Sequence, residues 1–259
     1  MIRVVVGGAT GKLGRNVCSE ILSSDDLELA GCIVSDRGGS AGKELYPGIF
    51  AKGPGSTLSL LKDADVYVDL TSPEAAAEII GRIPGTGANL VLGTTAVPKE
   101  ALDRMAENVS LNGTSAVVSA NFSIGVNVFW KICEEMARCL PGYDIEIIEA
   151  HHSAKKDAPS GTAAETLRRI QNITGIEKAV DGRKGITGAR GEEIGVHAVR
   201  AGDIIGDHTV LFAKNMERLE LTHRLVSRDA LAKGCIESIR WISGKKDGKV
   251  HSMEEVLGI

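Results

Sequence analysis

The sequence predicts an α/β protein of two domains: a mostly parallel sheet with helices on both faces, then an α+β domain with a mixed or antiparallel sheet. Three observations carry this. The chain opens on an apolar strand, a glycine loop and an amphipathic helix, "IRVVVGGATGKLGRNVCSEIL". Short, near-continuous apolar runs then alternate with helical segments as far as residue 121, as parallel strands buried on both faces do. Beyond that point the alternation stops, and strands of period two follow one another with a polar face.

In the opening unit, Leu13, Val17 and Ile21 recur at helical spacing behind the loop Gly8, Ala9, Thr10, Gly11, Lys12, Leu13, Gly14. Missing side chains let backbone approach a pyrophosphate, and the free N–H groups of the helix start face its charge. Tight strand-to-helix turns also use glycine for steric reasons alone. Context favours the nucleotide: a second strand, "LELAGCIV", ends near Asp36, which lies 36 − 14 = 22 residues past the last glycine. A carboxylate there accepts from an adenosine ribose. Its neighbour Arg37 offers a cation to a 2′-phosphate, so NADH and NADPH are both expected cofactors of this Rossmann-type domain.

Further strands are expected over residues 65–71, 89–95 and 115–120, separated by helical segments such as "PEAAAEIIGRI". Ligands of such sheets sit at the carboxyl ends of the strands, which places Thr71, Gly93, Thr94, Thr95 and Asn121 along the cofactor crevice. The threonines have an alternative role as helix caps.

In the second half, "NFSIGVNVFWKICEEMARCL" is expected as a helix, "YDIEIIEAHH" as a strand and "GTAAETLRRI" as a helix with a Thr162 to Glu165 capping box. "HAVRAG", "HTVLFA" and "ERLELTHRLV" read as strands, the last with Leu219, Leu221, His223 and Leu225 on one face. The glycine-rich, charged stretch 182–193 reads as a mobile surface loop. "SRDALAKGCIESIRWISG" is helical again and is expected to return the chain to the first domain.

Composition narrows the class. Hydrophobic residues at 43% and charged residues at 25% suit a folded soluble chain, and a formal charge of −4 means that an anionic ligand must be met by a local cluster of cations. The five scattered cysteines contain no Cys-x-x-Cys pair and fit reduced core thiols of a cytoplasmic protein. Neither a secretory leader nor a membrane span is expected. With aromatics at 3%, nucleic-acid binding has little support.

The stretch "EAHHSAKKDAPSGTA" concentrates the chemistry. A strand delivers His151 and His152 to a loop with Lys155 and Lys156 behind them, and Pro159-Ser160-Gly161-Thr162 starts a helix. Helix-start N–H groups, the Ser160 and Thr162 hydroxyls and the cations together suit a carboxylate, and the histidines can move a proton near neutral pH. A small dianionic substrate that must be protonated fits. No metal is expected, because third and fourth ligands at the usual spacing are missing. Lys156 reads as a solvated surface residue, and His197, His208 and His223 as structural.

These residues resemble the dihydrodipicolinate reductase family of the lysine and diaminopimelate pathway. The likeness runs along nearly the whole chain, through "GATGKLGR", "DLTSP", "GTT", "ANFSIGVN", "EIIEAHHSAKKDAPSGTA", "RAGDIIGDHTVLFA", "ERLELTHRLVSRDALAKG" and "MEEVLGI". The resemblance implies that His151 and Lys155 form the proton-transfer pair and that His152, Gly161 and Thr162 contact the substrate carboxylate. It implies cofactor contacts from Gly8 to Leu13, at Asp36 and Arg37, from Gly93 to Thr95, and at Ser119, Ala120, Asn121 and Phe122. It further implies a cofactor domain of residues 1–121 completed by 238–259, a substrate and oligomerisation domain of 122–237, a small cyclic dicarboxylate substrate, and a homotetramer assembled through the second domain's sheet. Departures sit beside the cofactor: Ala96 stands where the family commonly has glycine, Leu70 where it has phenylalanine, and "SANF" where many members differ. Two other functions fit the residues less fully: a related dehydrogenase of another amino-acid-derived dicarboxylate, and a dinucleotide-binding redox sensor without turnover.

Overall fold

The computed structural model describes residues 1–259. In chain order the elements are β1 (Ile2–Gly7), α1 (Lys12–Leu22), β2 (Leu27–Ile33), β3 (Glu44–Tyr46), β4 (Ile49–Lys52), α2 (Thr57–Leu60), β5 (Val66–Asp69), α3 (Pro73–Ile79), β6 (Asn89–Leu92), α4 (Lys99–Asn112) and β7 (Ala116–Val118). There follow α5 (Ile124–Cys139), β8 (Asp144–His151), α6 (Gly161–Thr174), β9 (Ala179–Asp181), β10 (Ile194–Arg200), β11 (Gly206–Lys214), β12 (Glu217–Leu225), α7 (Asp229–Ser243), β13 (Val250–His251) and α8 (Met253–Leu257). They form two compact units: residues 1–124 with 229–258, and residues 125–228 with Ile259.

The first unit holds an eight-stranded sheet in the order β13-β7-β6-β5-β1-β2-β4-β3, parallel except for the β3–β4 hairpin. Alternation along each strand feeds two cores. Val4, Val6, Val66, Val68 and Val91 face Val17 and Ile21 of α1 and Ile236 and Ile239 of α7. Val5, Tyr67, Leu90 and Leu92 face Ala76 of α3 and Met105 and Val109 of α4. Both faces are therefore covered, which is why the strands read as continuous apolar runs.

The second unit holds a mixed five-stranded sheet, β12-β11-β8-β10-β9, in which β8, β9 and β10 run parallel and β11 is antiparallel to both its neighbours. One face carries Ile145, Ile147, Val196, Val210 and Phe212 against Phe129, Trp130 and Cys133 of α5 and Ile170 of α6. The other face is open, with Ile148 and Val199 exposed.

Three local expectations need correction. The cap of α6 is Ser160, whose Oγ accepts from Ala163 N at 3.2 Å; Thr162 lies inside the first turn, and Glu165 is engaged by Arg168 and Arg169. The stretch 182–193, though largely exposed, is tied down: Arg183 bridges Glu146 and Glu193, and Arg190 donates to the carbonyls of Ile145 and Glu193. Partners 37 and 45 residues away leave no mark on local periodicity. On β12, alternation holds at Leu221, His223 and Leu225, but Leu219 is exposed because this is an edge strand.

Candidate active site

In the first unit the crevice forms at the carboxyl ends of the strands. Gly8 adopts a φ of 79°, open to glycine without cost, and a Cβ there would lie 2.1 Å from the Leu70 carbonyl oxygen. A Cβ at Gly14 would stand 2.2 Å from Gly8 O, so the loop and the start of α1 lie in direct backbone contact. No side chain caps α1 at Gly11, which leaves its first N–H groups for an anion. Beside them is a cavity of 550 Å³ lined by Gly8, Thr10, Gly11, Ser35, Thr71 and Arg82 among others. The bare backbone and the uncapped helix fit a dinucleotide pyrophosphate.

The other predicted cofactor residues do not line this cavity. Asp36 and Arg37 form an exposed turn after β2, and Gly53 makes room for Asp36: a Cβ there would lie 2.3 Å from Asp36 Oδ1. Lys12 is exposed and Ala9 buried in the core. Gly93, Thr94 and Thr95 follow β6, with Gly93 against the buried Phe122 ring. After β7, Ser119 Oγ donates to Asn121 O and accepts from Asn121 N, folding residues 119–122 into a tight turn with Ala120 exposed. Thr71 and Thr94 cap no helix; Ser72 caps α3, and both threonines hydrogen-bond the buried Asp69. Ala96 has a φ of 55°, where a Cβ is strained. Replacing Ala96 with Gly should raise stability by about 1 kcal/mol, a thermal midpoint shift of roughly 2–4 °C. A lower midpoint would contradict this strain.

In the second unit, β8 ends on Glu149 and His151 on its inner face. Glu149 is buried and takes both nitrogens of the Arg200 guanidinium, at 2.7 and 2.8 Å, together with His151 Nδ1 at 2.6 Å and Ser160 N at 3.1 Å. Burial opposes its charge, but the hydrogen bonds from Arg200 and His151, the His151 charge and the Ser160 N–H outweigh it and hold the carboxyl below its usual range. An ionised Glu149 only accepts, so Nδ1 of His151 carries a proton and Nε2 is the nitrogen left for exchange. Gly206 leaves space there: a Cβ at that position would come 3.1 Å from His151 Nε2.

Around this dyad stand the other predicted residues. Lys155 is mostly buried and ion-paired with Asp157 at 2.8 Å, while Lys156 is exposed. Space beside Gly161 at the start of α6 is open. Thr162 lies one residue on, and the Nε2 of His152 is 3.5 Å from Arg228. His208, buried on β11, meets Ser160 Oγ through Nε2 at 3.0 Å and lies edge-on to His151 with ring centroids 5.2 Å apart. Burial, then the charge of His151, lowers its pKa from 6.5 to about 4. An unfolded chain takes up a proton on His208 as pH falls through 6.5, whereas the folded chain resists until about 4. Stability is therefore lost across that window. His208→Gln, whose amide can still reach Ser160, should flatten the thermal midpoint between these pH values relative to wild type; parallel profiles would remove His208 from the acid response.

Family models match the chain in both units: "Dihydrodipicolinate reductase, N-terminus" over residues 2–122 and "Dihydrodipicolinate reductase, C-terminus" over residues 125–257. The chain belongs to the dihydrodipicolinate reductase family. It is thus a nicotinamide-dependent oxidoreductase with a Rossmann-type domain. The 4-hydroxy-tetrahydrodipicolinate reductase of Methanothermobacter thermautotrophicus is 44% identical over the full length of both chains, and that of Methanosarcina mazei is 42% identical, again over both whole chains. Among solved structures, a dipicolinate-bound dihydrodipicolinate reductase from Paenisporosarcina sp. TG-14 matches with a TM-score of 0.84, 27% identity and 98% of each chain covered. The C. glutamicum DAP dehydrogenase in complex with DAP shares the fold at a TM-score of 0.58 and 16% identity, with 98% and 93% covered. No helix of this reductase is long and apolar enough to cross a membrane.

Sequence reasoning passed over Arg200, Arg228 and Asp69 and read His208 as structural only. Arg200 and His208 reach theirs only through strand pairing, opposite His151 and Glu149. Arg228 approaches from the far end of the second unit, and Asp69 is hidden beneath Thr71 and Thr94. The one local signal was Glu149, two residues before His151 on the same face of a strand.

Proposed function

We propose that this reductase converts 4-hydroxy-tetrahydrodipicolinate to tetrahydrodipicolinate with NADH or NADPH, within lysine and diaminopimelate synthesis in the cytoplasm. The observation that carries the reading is the buried Glu149–His151 pair, with Nε2 unengaged at the end of β8 and the start of α6 close by. The reductases named among its relatives support the substrate.

In this reading the glycine loop from Gly8 to Leu13 holds the pyrophosphate, and Asp36 and Arg37 meet the adenosine ribose or its 2′-phosphate. Thr71, the segments Gly93 to Thr95 and Ser119 to Phe122 hold the nicotinamide end. The substrate loses its C4 hydroxyl and a C3 proton as water, which leaves a conjugated imine, and the bound cofactor would supply a hydride to ring C4 of that imine. His152, Ser160, Gly161 and Thr162 bind the substrate carboxylates through side chains and the helix-start N–H groups. The enamine left by reduction takes a proton at C3. His151 donates it from Nε2, while Glu149 keeps the ring oriented and stabilises its protonated form. Lys155 supports the developing charge, and Asp157 sets the lysine's position until the substrate carboxylate competes for it.

Assembly as a homotetramer through the second unit's open sheet face belongs to the same proposal. Ile148 and Val199, exposed on adjacent strands, are the apolar surface that supports it. A monomeric mass by light scattering would overturn it.

The experiment is the oxidation of NADH and, separately, NADPH when the protein meets substrate made in place from pyruvate and aspartate semialdehyde by the preceding synthase. Rapid oxidation that needs every component is expected, with neither cofactor preferred by more than about 100-fold. Cofactor binding without oxidation would refute the substrate and redirect attention to other dicarboxylates, then to a sensor role. A larger preference would refute dual use alone.

A further inference from the structure

Asp69, the last residue of β5, is fully buried, yet no lysine, arginine or histidine pairs with it. Hydroxyls surround the carboxylate instead. Oδ1 accepts from Thr94 Oγ1 at 2.6 Å, from Thr71 Oγ1 at 2.8 Å and from Thr71 N at 3.2 Å, and Oδ2 accepts from Tyr67 at 3.2 Å. Each hydroxyl offers its proton to the carboxylate; Thr71 Oγ1 also lies 3.3 Å from the Ser72 carbonyl oxygen, but Asp69 Oδ1 at 2.8 Å is the nearer acceptor and takes the proton. Burial, then the charge of Asp69, keeps the Tyr67 phenol protonated far above its ordinary range.

This arrangement fixes what the neighbouring oxygens can do. Thr94 Oγ1 donates to Asp69 and accepts from Thr71 N at 2.9 Å, so its proton and one of its two lone pairs are used inside the protein. Thr71 Oγ1 keeps free lone pairs, and Thr71 lines the 550 Å³ cavity. The same network touches three of the strand ends that form the crevice, those of β1, β5 and β6. Thr71 begins the segment after β5, Thr94 lies in the segment after β6, and the Tyr67 hydroxyl lies against Gly7, where a Cβ would come 2.1 Å from it.

We propose that Asp69 is a positioning residue of the cofactor crevice: it sets the Thr71 hydroxyl as a pure acceptor for N–H or O–H donors of the dinucleotide and makes Thr94 an internal strut. The inference rests on the reading that this crevice holds NAD(P)H.

The test is NADH affinity by fluorescence for the wild type, Thr94→Val, Asp69→Ala, Asp69→Asn and the double Thr94→Val/Asp69→Ala variant, with the KM for the dicarboxylate measured alongside. Asp69→Ala should weaken NADH binding at least about tenfold and Thr94→Val roughly fivefold, and the double variant should be no weaker than Asp69→Ala, because the residues act as one unit. Asp69→Asn should stay within about threefold of wild type, since its oxygen can keep both threonines while its NH₂ donates to Tyr67. The dicarboxylate KM should hold within about twofold in every variant, which a general loss of folding would not allow. Thr94→Val binding NADH as the wild type does, or losses that multiply in the double variant, would overturn the role of Asp69; Thr94→Val keeps the test open if Asp69→Ala does not fold. Absence of NADH binding by the wild type would instead overturn the reading of the crevice itself, and this inference with it.

Discussion

Replacing His151 with glutamine should lower kcat by about 10²- to 10⁴-fold, while NADH affinity stays near that of the wild type. The glutamine amide can still donate toward Glu149 and preserve the packing of the β8 end, but it cannot release a proton at the pH of the reaction. Because the protonation of carbon is slow without an acid held in place, turnover carries the loss and binding does not. Steady-state kinetics with both substrates varied, alongside cofactor titration, separates the two quantities. A kcat near wild type in His151→Gln would remove this residue from the proton step and transfer attention to Lys155.

Glu149→Gln should strongly destabilise the second unit. The Arg200 guanidinium spans both carboxylate oxygens, at 2.7 and 2.8 Å. Whichever way a glutamine turns, its NH₂ faces a guanidinium N–H, and one buried donor is left opposed to another. Breaking a buried pair in this way costs about 3–5 kcal/mol, which denaturant titration would read directly. Turnover should fall as well, because a neutral amide no longer stabilises the protonated His151 ring. The pH dependence has a definite direction: the Glu149 carboxyl is held below its usual 4.5, so its stabilisation is complete above that value and is lost as the pH falls further. Glu149→Gln should lack this acid-dependent part. Wild-type stability in the variant would show that Arg200 and Glu149 do not depend on one another.

Much of the architecture was legible because it is written in short-range patterns. Valines in an unbroken run at the N-terminus announce a strand covered on both faces, and glycines at 8, 11 and 14 announce a loop pressed against backbone on either side. The histidine pair, the lysines and the Pro-Ser-Gly-Thr segment lie within one stretch of chain, so their proximity needed no folding model. The α6 cap was misplaced by two residues, because serine and threonine both stand at the helix start and periodicity does not choose between them. The ties holding 182–193 were missed for a different reason: their partners belong to β8 and to the end of the loop itself.

What the sequence determined alone was the alternation of strand and helix, the glycine loop and the local cluster of histidines, lysines and a helix start, since each depends on neighbours within a few turns or pleats. Tertiary structure decided which of these groups are free to act. Pairing of β8 with β10 and β11 brings Arg200 and His208 to the Glu149–His151 pair, in which Glu149 takes Nδ1 and leaves Nε2 free. In the same way, burial of Asp69 turns the hydroxyls of Thr71 and Thr94 inward. The protonation and direction of a polar group are set by partners at hydrogen-bond distance, and here several of those partners lie 23 to 51 residues away along the chain.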